Sequence, residues 1–265
     1  MVSVKLNLLK PKPHIINNRN FRVVDETDDW IVIDKPPHLK AHPSKPNGPY
    51  TLWDGLRELL AFEIANGGQV SIINRLDRET SGLTLVCKTA AAARQFSMLM
   101  GKRRIHKEYY AIAWGWPADD HYEIDAPLGR MGEHNPSNIW LKQAVHPLGA
   151  QARTTAFVEK RFERQTTNGS RFSLIRAIPA TGRTHQIRVH LAHIGHPVIG
   201  DKIYGPDEQH YLAFIDAGWT EELKQSLLLQ RHALHSAVLR IEDGDAPLEW
   251  HAPLPADMAA FISPP

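Results

Sequence analysis

Two periods of apolar residues alternate along this chain. FRVVDE and WIVIDK, between Phe21 and Lys35, are short β-branched or apolar runs separated by acidic turn residues, and they predict two strands joined by a tight connection. Thr51 followed by Asp54 has the form of a capping box, and Leu52, Leu56, Leu59 and Leu60 then recur at helical spacing. After the Gly67-Gly68 break, VSIINRLD and GLTLVCK are β-rich, and Thr89 opens an alanine-rich helix with Phe96, Leu99 and Met100 on one face. RIHKEYYAIAWGW, NIWLKQAV, ARTTAFVEKRF and SRFSLIRAI predict further strands. THQIRVHLAHIG predicts a helix with Thr184 as N-cap, Ile187, Leu191 and Ile194 in one stripe, and Gly195 as its stop. Two more helical stretches follow, the second capped by Thr220, before HSAVLRIE and LEWHA complete a sheet edge. The strand spacing is too regular for a βαβ series. The expected fold class is α+β: one domain over residues 21–265, with a large, mixed, mostly antiparallel, bent sheet flanked by helices. Residues 1–20, polar and carrying Pro11 and Pro13, read as a loosely held arm.

Composition narrows the partners less than the pattern narrows the fold. A hydrophobic fraction of 42% and a charged fraction of 23% are those of an ordinary globular protein. The net charge of +2 means that any nucleic-acid surface must arise from uneven placement of Lys and Arg. The single cysteine, Cys87, cannot form an internal disulfide, which fits a reducing, cytoplasmic setting. No run of about 18 apolar residues suggests membrane insertion, and nothing demands more than a monomer.

Three segments concentrate the chemistry. In NRLDRETSGLTLVCK a strand runs into Asp77 and a Thr80-Ser81-Gly82 turn. Taken alone this is an ordinary Asx or Ser/Thr turn, although such turns also supply donors that fix a carboxylate. In ATGRTHQIRVH, Arg183 sits just before the expected N-cap, with His185, Arg188 and His190 close by, so Arg183 has the fork needed to hold a carboxylate. His190 and His193 are i, i+3 neighbours, but without an HExxH pattern or paired cysteines no metal site is expected. KRRIHKEYYAIAWG sets Lys102, Arg103, Arg104 and Lys107 beside Tyr109 and Tyr110, a combination able to meet phosphates and stack on a base.

Together these segments resemble the RluA family of pseudouridine synthases. DWIVIDKPPHLKAHPS is similar to the family's DKPxGLxxHP loop, NRLDRETSGLTLVCKT to HRLDxxTSGxxxxAKT and KEYYA to KxYxA. TGRTHQIRVHLAHIGHPVIGDKIYG follows the remaining signature almost letter for letter. The resemblance implies the pseudouridine synthase fold and a cofactor-free isomerisation of uridine in a ribosomal or transfer RNA stem-loop. It implies Asp77 as the catalytic carboxylate, Tyr109 as the active-site tyrosine and Arg183 as the arginine paired with Asp77. Arg75 is implied to help extrude the nucleotide. Asn74, Arg75, Arg78, Lys107, His185 and Arg188 form the expected RNA-contacting set, with Ile187 and Leu191 lining or supporting the pocket. Asn74 stands where the family has His, and His38 where it has Gly. The small N-terminal RNA-binding domain of some relatives has no counterpart in the arm. A noncatalytic RNA-binding protein with this fold is the rival from another class, disfavoured by Asp77, Tyr109 and Arg183 occurring together. A nucleoside glycosidase needs a second positioned carboxylate, which no comparable motif supplies.

Overall fold

The computed structural model describes residues 19–242 and 247–264; the expected arm lies, except for its last two residues, outside them. The N-terminal half holds β1 (Arg22–Glu26), β2 (Trp30–Lys35), α1 (Leu52–Leu59), α2 (Ala61–Ala65), β3 (Ser71–Ile72), β4 (Ser81–Cys87), α3 (Ala90–Gly101) and β5 (Ile105–Trp114). Then come β6 (His121–Asp125), β7 (Leu128–Arg130), β8 (Gln143–Val145), β9 (Arg153–Thr166), β10 (Gly169–Pro179) and α4 (Gln186–His193). The chain continues through α5 (Gln209–Ala217), α6 (Glu221–Leu227), β11 (Leu234–Ile241), β12 (Leu248–His251) and α7 (Ala256–Ile262). The capping box at Thr51 and Asp54 forms, and Thr89 and Thr220 cap α3 and α6. α7, unforeseen in the sequence, follows Pro255 and buries Met258 and Phe261.

One ten-stranded sheet runs in the order β1-β2-β4-β11-β5-β10-β9-β6, with β12 also on β11 and β3 also on β4, while β7 and β8 form a separate ribbon. Every pairing in the large sheet is antiparallel except β4 with β11. The mixed, mostly antiparallel α+β expectation therefore holds, but β11 is central, not an edge. Burial explains this: β4 is buried throughout and β11 nearly so, and strands covered on both faces belong in the middle. The NIWLKQAV strand shrinks to Gln143–Val145, leaving Trp140 and Leu141 exposed.

The parallel contact decides where the functional loop opens. Gly82 pairs with Ser236 of β11, which on its other side pairs with Tyr109 of β5. Gly82 has φ +110, and a Cβ there would sit 2.2 Å from the Ser236 carbonyl oxygen. Only glycine permits this approach. Gly82→Ala should cost more than about 4 kcal/mol, because backbone on both sides would have to move. Loss of the cooperative thermal transition, or a melting temperature lower by about 10 °C or more, is the expected reading. Ser81 Oγ lies 2.9 Å from His235 Nδ1 and Thr80 Oγ1 2.7 Å from His232 Nε2, so the β3–β4 loop is tied down at this end.

Candidate functional site

Asp77 lies in the loop between β3 and β4. Leu76 anchors the loop in the core cluster that also holds Tyr109, Ile187 and Leu191. Asn74 locks it from the other side: its Nδ2 donates to Leu83 O (3.0 Å) and its Oδ1 accepts from Leu85 N (2.7 Å). Lys35, fully buried, donates to Pro36 O (2.8 Å), Leu39 O (2.9 Å) and Arg78 O (3.3 Å), which joins the β2 exit loop to the residue after Asp77. Burial pulls the Lys35 pKa down to about 7.

Arg188, from α4, organises the site. Its Nη1 donates to Asp77 Oδ2 at 2.9 Å, while Nε and Nη2 grip both oxygens of Asp201 at 2.6 and 2.8 Å. Its side chain is 5% exposed, that of Asp201 0% and that of Asp77 30%. The cation is thus sealed, one carboxylate is sealed behind it, and the other reaches solvent. Asp201 Oδ1 also accepts from the amides of Ile203 (3.0 Å) and Tyr204 (3.1 Å). Burial alone would push Asp201 up, but the Arg188 guanidinium and these amides hold its carboxyl below the usual range. Burial also opposes the charge on Arg188, and Asp201 and Asp77 outweigh it, keeping the guanidinium charged. The Tyr204 ring lies over Arg188, 5.0 Å from guanidinium carbon to centroid. Tyr109 is almost wholly buried, and burial, with the Asp77 charge adding, pushes its hydroxyl up to about 12. It stays a neutral phenol, able to stack or donate but not to act as a base near neutrality.

Residues 29–193 match the family model described as RNA pseudouridylate synthase. The chain belongs to this family. It is 37% identical over 254 residues to ribosomal large subunit pseudouridine synthase D of Haemophilus ducreyi, covering 92% of this chain and 70% of that one. Against the protein of the same name in Escherichia coli K12 the identity is 35%, covering 91% and 69%. The fold is that of human RNA pseudouridylate synthase domain containing 4 (TM-score 0.67, 22% identity, covering 90% of each chain). Human RNA pseudouridylate synthase domain containing 1 is also similar (TM-score 0.64, 25% identity, covering 89% of this chain and 84% of that one). The protein is an RluA-family pseudouridine synthase, an isomerase acting on RNA.

This synthase departs from the sequence expectation at several site residues. Arg183 does not pair with Asp77: its Nε donates to Gln151 O at 3.0 Å, its side chain is exposed, and none of the ion pairs among the described residues includes it. The reason lies in the turn before α4. The helix begins at Gln186, not after a Thr184 cap; His185 takes the N-cap place with φ 58 and no side-chain cap. Gln186 Oε1 accepts from Arg183 N (3.0 Å) and Thr181 Oγ1 (2.6 Å), and its Nε2 donates to Arg153 O (2.8 Å) and Thr154 Oγ1 (2.9 Å). That pinned turn sends Arg183 outward and brings Arg188 inward. Arg188 is consequently not a phosphate-contacting residue, because its guanidinium is sealed from solvent between two carboxylates. Asn74 is likewise buried and structural, not RNA-facing. Asn74→Ala should cost about 2–4 kcal/mol by stranding two β4 backbone groups, with RNA affinity unchanged in a filter-binding titration. Leu191 is fully buried and supports the site without lining it, while Ile187 is only slightly exposed.

Arg75 is exposed beside Asp77, and Arg78 is half-buried. Lys107 lies next to the Gly182 turn with its Nζ 3.9 Å from Met100 Sδ, and burial lowers its pKa. His190 is structural: Nε2 faces Ala126 O and Nδ1 faces Thr154 Oγ1, both at 2.9 Å. Among the described residues no cluster of acidic, His or Cys side chains has the arrangement of a metal site. His38 adopts φ 64, a left-handed backbone that glycine takes without strain and histidine at a cost. Cys87 is buried with its thiol pushed up to about 12, an inert core residue. No helix among the described residues is long and apolar enough to cross a membrane. Asp201 and Tyr204 escaped the sequence reading; the signal was available in GDKIYG, which matches the family signature, but nothing in the residues announced a buried acid.

Proposed function

We propose that this synthase converts uridine to pseudouridine in ribosomal RNA, with Asp77 as the reacting carboxylate. The observation that carries this reading is the Arg188 bridge: a sealed guanidinium anchored on Asp201 presents the Asp77 carboxylate to solvent in a fixed direction. Both relatives with which this chain shares 35–37% identity are named ribosomal large subunit synthases, which favours ribosomal over transfer RNA.

In the reaction the C1′–N1 bond of uridine breaks, the uracil turns, and C5 joins C1′, the C5 hydrogen leaving as a proton while N1 gains one. Atoms and electrons balance without oxidation, so the chemistry requires no cofactor. Asp77 acts either as a nucleophile, dividing the step in two, or as a base on the sugar. The uridine must leave its stack to reach Asp77; Arg75, exposed on the same loop, would fill the gap, and Lys107 and Arg183 would meet phosphates. Tyr109 supplies a buried aromatic edge to the pocket.

The glycosidase alternative needs two accessible carboxylates flanking the sugar. The second acid here, Asp201, is sealed and holds four hydrogen bonds. Mapping pseudouridine across total RNA from cells with and without the gene tests the target: one or more ribosomal positions should revert to uridine. Loss confined to transfer RNA, or release of free uracil by the purified protein, contradicts the proposal.

A further inference from the structure

We infer that His185, fixed by Tyr204 with its proton on Nε2, is a second catalytic group that donates a hydrogen bond to the uracil as the glycosidic bond breaks. The inference rests on the reading that Asp77 is the reacting carboxylate.

The proton can be followed through the hydrogen bonds. Tyr204 Oη accepts from the Gln143 amide at 2.8 Å, and among the described residues the acceptor available to its own proton is His185 Nδ1, 2.8 Å away. Burial raises the Tyr204 pKa, which keeps that proton on the phenol to be donated. Burial and the Arg188 charge hold His185 at a pKa of about 4, so the ring is neutral. A neutral imidazole that accepts at Nδ1 carries its hydrogen on Nε2. Nε2 lies 3.9 Å from Asp77 Oδ2, too far for a hydrogen bond, and among the described residues no other acceptor is within reach of it. The side chain is 10% exposed. A donor without a protein acceptor among the described residues therefore sits beside the Asp77 carboxylate.

The backbone agrees. His185 holds φ 58 at the start of α4 without capping the helix through its side chain. A non-glycine residue in this region costs on the order of 1 kcal/mol and persists where its surroundings over-determine it. The hydrogen bond to Tyr204 and the Gln186 lock do so here.

Whichever way Asp77 acts, the C1′–N1 electron pair leaves with the uracil ring, and negative charge grows on N1 and the neighbouring carbonyl oxygen. A pre-aimed neutral donor stabilises that charge without surrendering its proton, so the ring remains free to turn and rejoin through C5. Deleting one such donor costs roughly 10²-fold in rate. Tyr204 is then a positioning residue, acting through His185.

Two measurements test this. Long-range ¹H–¹⁵N correlation spectra of the RNA-free protein, labelled at histidine, should show His185 protonated at Nε2, and Tyr204→Phe should mix the two tautomers while leaving its ring over Arg188. In single-turnover tritium release, His185→Asn, which tolerates the left-handed backbone, should lose about 10²-fold in rate at unchanged RNA affinity, and Tyr204→Phe a smaller factor. An Nδ1–H tautomer in the wild-type protein, or wild-type rates in both variants, overturns the inference. Because the tautomer is read without RNA, a wrong RNA target and a wrong tautomer give different results.

Discussion

Asp77→Asn will yield a folded protein that binds RNA and does not isomerise it. The replacement is nearly isosteric, and the amide oxygen can still accept from Arg188 Nη1, while the other two guanidinium contacts go to Asp201 and are untouched. Asp77 is also the solvent-reaching member of the trio, so its charge contributes less to holding the fold than that of Asp201. The amide has no anionic oxygen to attack carbon and no basicity to take a sugar proton, and removing a reacting group costs at least about 10⁴-fold. Single-turnover tritium release from RNA labelled at uridine C5 reads the rate, and a thermal melt within about 2 °C of wild type reads the fold.

Arg188→Met will damage both fold and chemistry, and the two effects can be separated. Asp201 would remain charged, fully buried and without its cation, a loss of about 3–5 kcal/mol, which corresponds to a melting temperature lower by about 10 °C. Adding Asp201→Asn removes the stranded charge yet keeps an oxygen for the Ile203 and Tyr204 amides. Most of the lost stability should therefore return. The rate should not, because Asp77 still lacks the group that orients it; a deficit of about 10²–10³-fold is expected in the single and the double variant alike. Recovery of rate along with stability would reduce Arg188 to a packing residue.

The sequence shows strands and helices where one period governs a long enough run, as in WIVIDK, the Leu52–Leu60 stripe and HSAVLRIE. It could not show that β11 lies between β4 and β5, because that rests on a parallel pairing between segments more than a hundred residues apart, licensed by one glycine at φ +110. The loop that carries Asp77 and the strand that carries Tyr109 were legible through the motifs around them. The choice between Arg183 and Arg188 was not: both lie in GRTHQIR, and composition records a charge without its direction. The direction is set by Gln186, whose side chain fastens the turn to β9, and by the left-handed backbone at His185, neither of which has a propensity signature. Asn74 read as an RNA contact because it precedes Arg75, yet its amide is the right length to bridge β4 backbone groups.

A carboxylate aimed by Arg188, and not by Arg183, is what the proposed chemistry depends on. Its most direct test is single-turnover tritium release at saturating ribosomal RNA, comparing Arg183→Ala with the Arg188→Met/Asp201→Asn double variant. Arg183→Ala should react at nearly the wild-type rate with at most weaker binding, and the folded double variant should be slower by about 10²-fold or more. The reverse order, with Arg183→Ala inactive and the double variant active, would contradict it.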